Sequence, residues 1–163
     1  MEIINKIKEF VEFIEKPPED NLDGSLLILI DNFFSAFHST FHQSLDLFDD
    51  KEYPEPPEFD NDKVKELIQR NFPEYGYYNI PEKVCDDICD TKLIVGDGID
   101  DLLDIYHCFK DIIWYYENTT KENAIWYFKD LSYRIDWEGH MRGLQYYIFN
   151  KIDEEYYNTE QPD

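Results

Sequence analysis

Residues 97–118 read DGIDDLLDIYHCFKDIIWYYEN and decide the fold. Apolar side chains recur there every three or four residues, a spacing that places them on one face of an α-helix. These side chains are Ile99, Leu102, Leu103, Tyr106, Phe109, Ile113 and Tyr116. The pattern begins after Asp97 and ends near Asn118, so we predict an amphipathic helix over this stretch.

The same periodicity predicts helices on both sides. Residues 2–16 carry a first amphipathic pattern, which two prolines end. Ser25 can cap a second helix of about six turns. The apolar stripe of this second helix is Leu27, Ile30, Phe34, Phe37, Phe41, Leu45 and Phe48. A final long helix is predicted over 121–153, and two apolar stripes in its first half favour a central position among its neighbours.

Between these helices the sequence predicts less regular structure. We expect a short helix over 62–72, a tyrosine-rich loop over 73–81 and one or two helical turns over 82–90. No alternation of apolar and polar residues, which is typical of a half-buried strand, extends beyond a few residues. We therefore predict an all-α protein, an up-and-down bundle of four to five main helices.

The length of the chain favours one domain. Two separate cores in 163 residues would each form from roughly 80 residues, near the lower limit for independent folding. Hydrophobic residues make up 42% of the sequence and aromatic residues 17%, which is enough apolar mass to fold. We expect a single domain over 1–153 and a polar tail over 154–163; the sequence leaves the oligomeric state open.

The charge of the chain limits its partners. Lys and Arg number 15 and Asp and Glu number 37, so the net charge is 15 − 37 = −22. Such a charge repels phosphate backbones and anionic lipid and attracts basic proteins. We expect a basic protein partner, and neither nucleic acid nor a membrane surface. The longest purely apolar run, residues 26–30, is too short to cross a bilayer, and no signal-peptide pattern is present, so we expect a cytoplasmic protein.

Candidate partner-binding residues lie in two segments. Residues 46–62 hold eight acidic residues, one lysine and three prolines, a composition that predicts an exposed acidic linker. Tyrosines in the predicted 73–81 loop can anchor a protein contact. The residues we single out are Asp49, Asp50, Glu52, Glu55, Glu58, Tyr75, Tyr77 and Tyr78.

Two patterns resemble metal sites. Residues 100–104 read DDLLD, which is similar to the magnesium-diphosphate motif of prenyl synthases. These acidic residues share a helical stripe with Asp97 and Asp111, opposite the apolar face, and a solvated surface is therefore the favoured interpretation. Histidines four residues apart on the second helix can reach one metal ion. The candidate ligands for a divalent metal are His38, His42, Asp100, Asp101 and Asp104; no other cofactor is predicted.

His140 is the remaining chemical candidate. It shares an apolar stripe with Trp126, Tyr133 and Trp137, where an imidazole with a carboxylate partner can act as a base or a ligand. A hydrogen-bonded core histidine is the favoured interpretation. Charged residues around it can form an ion-pair cluster or line a small pocket. The cluster that we predict is Arg134, Trp137, His140 and Arg142, with Asp136 and Glu138 as acidic neighbours.

Two motifs resemble a known family. Residues 102–110 read LLDIYHCFK, and residues 137–140 read WEGH. They are similar to an L-x-D-I-Y-x-D-L-K helix and a W-G-x-H segment in domain-of-unknown-function family 5063, a bacterial family of small helical proteins. The likeness extends to residues 10–15 and 84–90. Cys108 stands where the family usually has aspartate, and Glu138 where it usually has glycine. The resemblance implies an all-helical fold of about this size and no particular activity.

Three functional hypotheses follow from the sequence. The first is a non-enzymatic, acidic protein-binding module, of which an immunity protein that neutralises a toxin is a concrete form. The second is a metal-dependent helical-bundle hydrolase, which requires the acidic stripe of residues 100–104 to face inward. The third is a nucleic-acid mimic, which rests on net charge alone.

Overall fold

The computed structural model describes residues 2–41, 51–82, 91–129 and 137–160. Within these ranges six helices and one small sheet follow each other along the chain. They are α1 (Glu2–Glu15), α2 (Leu22–Phe41), α3 (Asn61–Asn71), β1 (Tyr77–Pro81), β2 (Leu93–Asp97), α4 (Gly98–Asn118), α5 (Lys121–Trp126) and α6 (Glu138–Glu160). The predicted all-α helical bundle is confirmed, with six described helices where four to five main helices were predicted and with one small sheet.

Local capping explains where several helices begin. The carboxylate of Asp97 accepts a hydrogen bond from the backbone N–H of Ile99 at 3.0 Å, which fixes the start of α4 where the periodicity predicted it. Asp60 caps α3 in the same way through the N–H of Lys63. The prediction that Ser25 caps α2 is wrong, because its backbone N–H already donates to the carbonyl of Asn21 inside the first helical turn.

The predicted loop over 73–81 is wrong, because its second half is a strand. β1 pairs with β2 in an antiparallel hairpin, in which Tyr78 lies opposite Gly96. Each strand has only five residues, YYNIP and LIVGD, in which apolar and polar residues do not alternate. The pairing therefore could not be predicted from the sequence, although burial alternates along β1. The helical turns predicted over 82–90 lie outside the described residues, except for Glu82, which is not helical.

Within the range predicted for the final helix, the structure describes α5 and α6, and residues 130–136 between them lie outside the described residues. α6 continues to Glu160, beyond residue 153, where we expected a polar tail to begin. Two side chains secure this end of the helix. Lys151 forms an ion pair with Asp23 on α2 at 2.8 Å, and Ile152 packs against the core.

Aromatic rings fill the centre of the core. Phe33 on α2 is fully buried, and five rings have centroids between 5.0 and 6.5 Å from its own. They are Phe10, Phe34, Phe109, Phe128 and Trp137. Most of these pairs are edge-to-face, an arrangement that the ring quadrupoles favour. Burial of each such ring contributes roughly 1.5–3 kcal/mol.

Among the described elements α4 is the central helix. It contacts α1, α3, α5 and α6, whereas we expected the final helix to take this position. No described helix has the length and apolar character needed to cross a membrane. The N-terminal half of α4 lies against both the hairpin and α6, and polar side chains from all three form hydrogen bonds at this junction.

Candidate functional site

Four polar side chains meet where the hairpin packs on α4 and α6. We call Tyr78, Asp101, Asp104 and His140 the His140 network. The hydroxyl of Tyr78 donates to Oδ2 of Asp101 at 2.5 Å. Nδ1 of His140 lies 2.8 Å from Oδ1 of Asp101, and its Nε2 lies 3.3 Å from Oδ2 of Asp104. Asp101 is therefore shared between a strand residue and a helix residue.

Two glycines make room for the Tyr78 ring. A Cβ atom at Gly143 of α6 would lie 2.5 Å from the Tyr78 hydroxyl, and one at Gly96 of β2 would overlap the ring itself. The ring also stacks on Tyr147, with centroids 4.8 Å apart and planes 14° apart. The element that approaches α6 closely at Gly143 is therefore the hairpin.

The prediction that the acidic stripe of α4 faces water is wrong for Asp101, which is only 7% exposed. Tyr78 covers this part of the stripe. Asp100, the residue before Asp101, remains exposed and pairs with Lys65 at 2.7 Å. The side chain of Asp104 is 49% exposed. Asp100 and Asp101 are therefore adjacent in sequence, but the first is exposed to water and the second is buried.

The chemistry of the His140 network favours a structural role. Both nitrogens of the imidazole face carboxylate oxygens, so a protonated ring can donate to both of them. In this arrangement each nitrogen lies beside a carboxylate of α4. Burial and the bond to Asp101 raise the pKa of the Tyr78 phenol, which keeps it a hydrogen-bond donor. Burial also raises the pKa of Asp104, an effect that nearby His140 opposes.

The predicted cluster around His140 forms only in part. Trp137 lies in the aromatic core, and Arg134 lies outside the described residues. Arg142 is exposed, with its guanidinium 3.5 Å from the centroid of the Phe34 ring. Its Nε lies 3.7 Å from Glu138. The carboxylates that bind His140 come instead from α4, so the prediction missed Asp101 and Asp104 as its partners.

The predicted metal ligands do not converge in the described part of the chain. His38 is exposed and stacks on Phe34 at 6.3 Å, while His42 lies outside the described residues. Asp100 pairs with Lys65. Asp101 accepts a hydrogen bond from Tyr78 and lies beside His140, and Asp104 also lies beside His140. Within the described ranges no group of three or more His, Cys, Asp or Glu side chains is arranged to hold a metal ion.

The three tyrosines predicted to bind a partner differ in exposure. Tyr77 is 80% exposed, as expected. Tyr75 is buried, so its predicted place on the surface is wrong: its ring packs on Phe72 with centroids 5.3 Å apart, and its hydroxyl donates to Asp23 at 2.7 Å. Tyr78 is half-buried within the His140 network. Only Tyr77 therefore remains available as a surface anchor.

A second site lies on the opposite, C-terminal half of α4. Here the non-helical 51–60 segment, α4 and Tyr127 line an open groove of about 410 Å³, which we call the acidic groove. Its walls are rings: Phe59, His107, Tyr115 and Tyr127, with Pro56 and Pro57. Its acidic side chains are Glu55, Glu58 and Asp111.

Ring stacking shapes the groove. Phe59 lies parallel to His107, with centroids 5.5 Å apart and planes 8° apart. Tyr115 and Tyr127 meet on the other side at 4.5 Å. Because Phe59 belongs to the acidic segment and His107 to α4, the first stack attaches the segment to the bundle and fixes where Glu55 and Glu58 lie.

Three carboxylates set the charge of the acidic groove. Burial lowers the pKa of His107, which favours the uncharged form of its ring. Burial raises the pKa of Tyr115, and the nearby carboxylates of Asp111 and Glu55 raise it further. None of the described residues that line the groove is a lysine or an arginine. The result is a negatively charged recess with aromatic walls.

Part of this groove was predicted from the sequence. Glu52, Glu55 and Glu58 are exposed on a non-helical segment, as predicted, and Asp49 and Asp50 lie outside the described residues. The aromatic walls were missed. The available signal was Phe59, a large ring within a run of acidic residues and prolines.

Comparisons of the chain with protein-family models, with curated proteins and with solved structures find no match. The resemblance to family 5063 therefore stays a prediction. The acidic groove and the His140 network are the features from which a function has to be inferred.

Proposed function

We propose that the protein is a non-enzymatic module that binds a basic protein through its acidic surface. The observation that carries this proposal is the attachment of the 51–60 segment to α4. Phe59 stacks on His107, while Glu52, Glu55 and Glu58 remain exposed to water. A partner would meet acidic side chains on a segment that is already positioned.

The energetics of binding support this proposal. A flexible acidic tail has to be ordered when it binds, which costs affinity, whereas a positioned segment avoids much of that cost. The net charge of −22 steers a basic partner toward the protein from a distance and makes association sensitive to salt. A toxin-neutralising immunity protein is the concrete form of the proposal, with a cytoplasmic location as predicted from the sequence.

The His140 network gives the hydrolase alternative little support. The imidazole is engaged by two carboxylates, and a general base needs a nitrogen within reach of the proton that it removes. The network instead joins the hairpin to two helices. Mimicry of nucleic acid, the third hypothesis, has net charge as its support and no specific feature of the described surface.

The test is the identity of a binding partner. The full chain is immobilised, a lysate of the producing organism is passed over it, and retained proteins are identified and then purified. The proposal expects direct binding of a purified basic protein at about 50 mM salt and release at about 500 mM, because screening shortens the reach of charge. It is contradicted if the purified partner is acidic or binds equally well at both concentrations.

Elemental analysis tests the hydrolase alternative on the same protein. Protein purified without chelator is dialysed and its metal content is measured. A transition metal retained at one ion per chain, and lost in His38→Ala, would contradict a pure binding role.

A further inference from the structure

We infer that the acidic groove receives an arginine side chain of the basic partner. This inference rests on the proposed function and names the contact through which the partner is held. The groove of about 410 Å³ falls within the range of roughly 300–1,000 Å³ that is usual for ligand sites. Its walls and its charge both restrict what it can hold.

The charge of the groove selects a cation. Glu55 and Glu58 stand on the extended segment, and Asp111 stands on α4, so carboxylates belong to both sides of the recess. Burial lowers the pKa of His107, which disfavours its charged form, and burial raises the pKa of Tyr115, which keeps its phenol neutral. Glu55 and Glu58 are exposed at the groove, so their charge favours a cationic side chain and disfavours an anionic one.

The walls of the groove select a planar organic cation over a metal ion. Ca²⁺ takes six to eight oxygen ligands, whereas six of the nine lining residues are aromatic or proline and only three are carboxylates. The Phe59–His107 stack and the Tyr115–Tyr127 pair line the recess with aromatic surface. Cations are attracted to such surfaces, and a guanidinium stacks on them with little loss of hydration.

Arginine fits this recess better than lysine. A guanidinium presents five donors in one plane and can bond two carboxylates while its face lies on a ring. An ammonium is a compact and strongly hydrated charge, and it gains less from an aromatic wall. We therefore expect the partner to place an arginine between the 51–60 segment and α4.

The direct test uses small probes and NMR. N-acetyl-arginine N-methylamide is titrated into the full chain, alongside its lysine counterpart and its citrulline counterpart, which is similar in shape but neutral. The arginine probe should shift the ring signals of His107, Tyr115 and Tyr127 and bind more tightly than the other two. The inference is overturned if citrulline binds as well as arginine, or if the shifts lie elsewhere.

Matched variants assign the binding to the groove. Glu55→Gln with Glu58→Gln removes two charges from its wall, and Glu12→Gln with Glu66→Gln removes two exposed charges outside it. The first pair should weaken the arginine probe by about tenfold, which corresponds to about 1.4 kcal/mol, and the second by less than about twofold. Equal weakening by both pairs would mean that net charge alone attracts the probe, and would overturn the inference.

Measurements with the purified partner separate this inference from the proposed function. If the partner binds the wild type and the Glu55→Gln, Glu58→Gln variant equally well, the groove is not its arginine site and the inference fails while the proposed function stands. If no basic partner binds the wild type, both fail. Unchanged circular dichroism and Tm in each variant confirm that the fold is intact; Asp111→Asn provides a further groove variant on the helix.

Discussion

Replacing Asp101 by alanine should lower the free energy of unfolding by about 2–4 kcal/mol. The carboxylate accepts hydrogen bonds from Tyr78 at 2.5 Å and from His140 at 2.8 Å. A hydrogen bond to a charged group contributes about 1.5–3 kcal/mol, so loss of both would cost about 3–6 kcal/mol. Water recovers part of this cost, because the His140 side chain is 35% exposed and Tyr78 is half-buried.

Asp100→Ala is the matched control. Both aspartates stand in the first turn of α4, so a similar helix-dipole contribution of about 0.3–1 kcal/mol is lost in each variant. The Asp100 side chain is 52% exposed and has a single ion pair, with Lys65. Exposed pairs contribute about 0–1 kcal/mol. The control should therefore cost at least about 1 kcal/mol less than Asp101→Ala.

Urea unfolding followed by circular dichroism measures both costs. In a chain of this size 1 kcal/mol corresponds to about 2–4 °C in Tm, so Asp101→Ala should also melt about 4–16 °C below the wild type. Tyr78→Phe tests the origin of the effect: after Asp101→Ala, it should cost less than it does in the wild type. Equal losses in Asp100→Ala and Asp101→Ala would refute the assignment of Asp101 to a buried network.

Three further predictions concern packing and pH. Gly143→Ala places a Cβ 2.5 Å from the Tyr78 hydroxyl and should destabilise the fold by about 1–3 kcal/mol. Gly139→Ala on the same helix meets nothing within 4 Å and should stabilise the fold by up to about 1 kcal/mol. Thermal denaturation that gives the opposite order of stability would contradict the packing of Tyr78. Phe33→Ala should cost about 3–5 kcal/mol in urea unfolding, and Phe149→Ala, at a ring 56% exposed, less than about 1 kcal/mol. Burial lowers the pKa of His107 below its ordinary value of 6.5, so the unfolded chain binds more protons than the folded one as the pH falls through and below 6.5. The wild type should therefore lose stability relative to His107→Phe over this range. Parallel stability curves between about pH 7.5 and 5 would count against a buried neutral imidazole.

The sequence predicted α4 well because one stretch carries both a long apolar period and a capping aspartate. Its start at Gly98 follows directly from Asp97, and its end at Asn118 agrees with the periodicity. The hairpin could not be predicted in this way. Its two strands are short, and they gain stability from each other and from contacts such as the stack of Tyr78 on Tyr147.

The two sites show the same limit on sequence reasoning. Asp101 appears on the polar stripe of an amphipathic helix, and it is buried only because Tyr78 arrives from a strand that was not foreseen. In the acidic groove the exposed acids of the 51–60 segment were predicted from composition. Tyr115 and Tyr127 reach the groove from separate parts of the chain, and only the tertiary packing brings them together.

The rate of association with a purified basic partner tests the binding proposal most directly. Stopped-flow measurements at increasing salt compare the wild type with a variant that carries Glu52→Gln, Glu55→Gln and Glu58→Gln. We predict that the association rate constant of the wild type falls by about tenfold or more between about 50 and 500 mM salt, and that the variant associates more slowly at low salt and depends less on salt. Association that is independent of salt, or unchanged in the variant, would contradict the proposal that the acidic surface binds the partner.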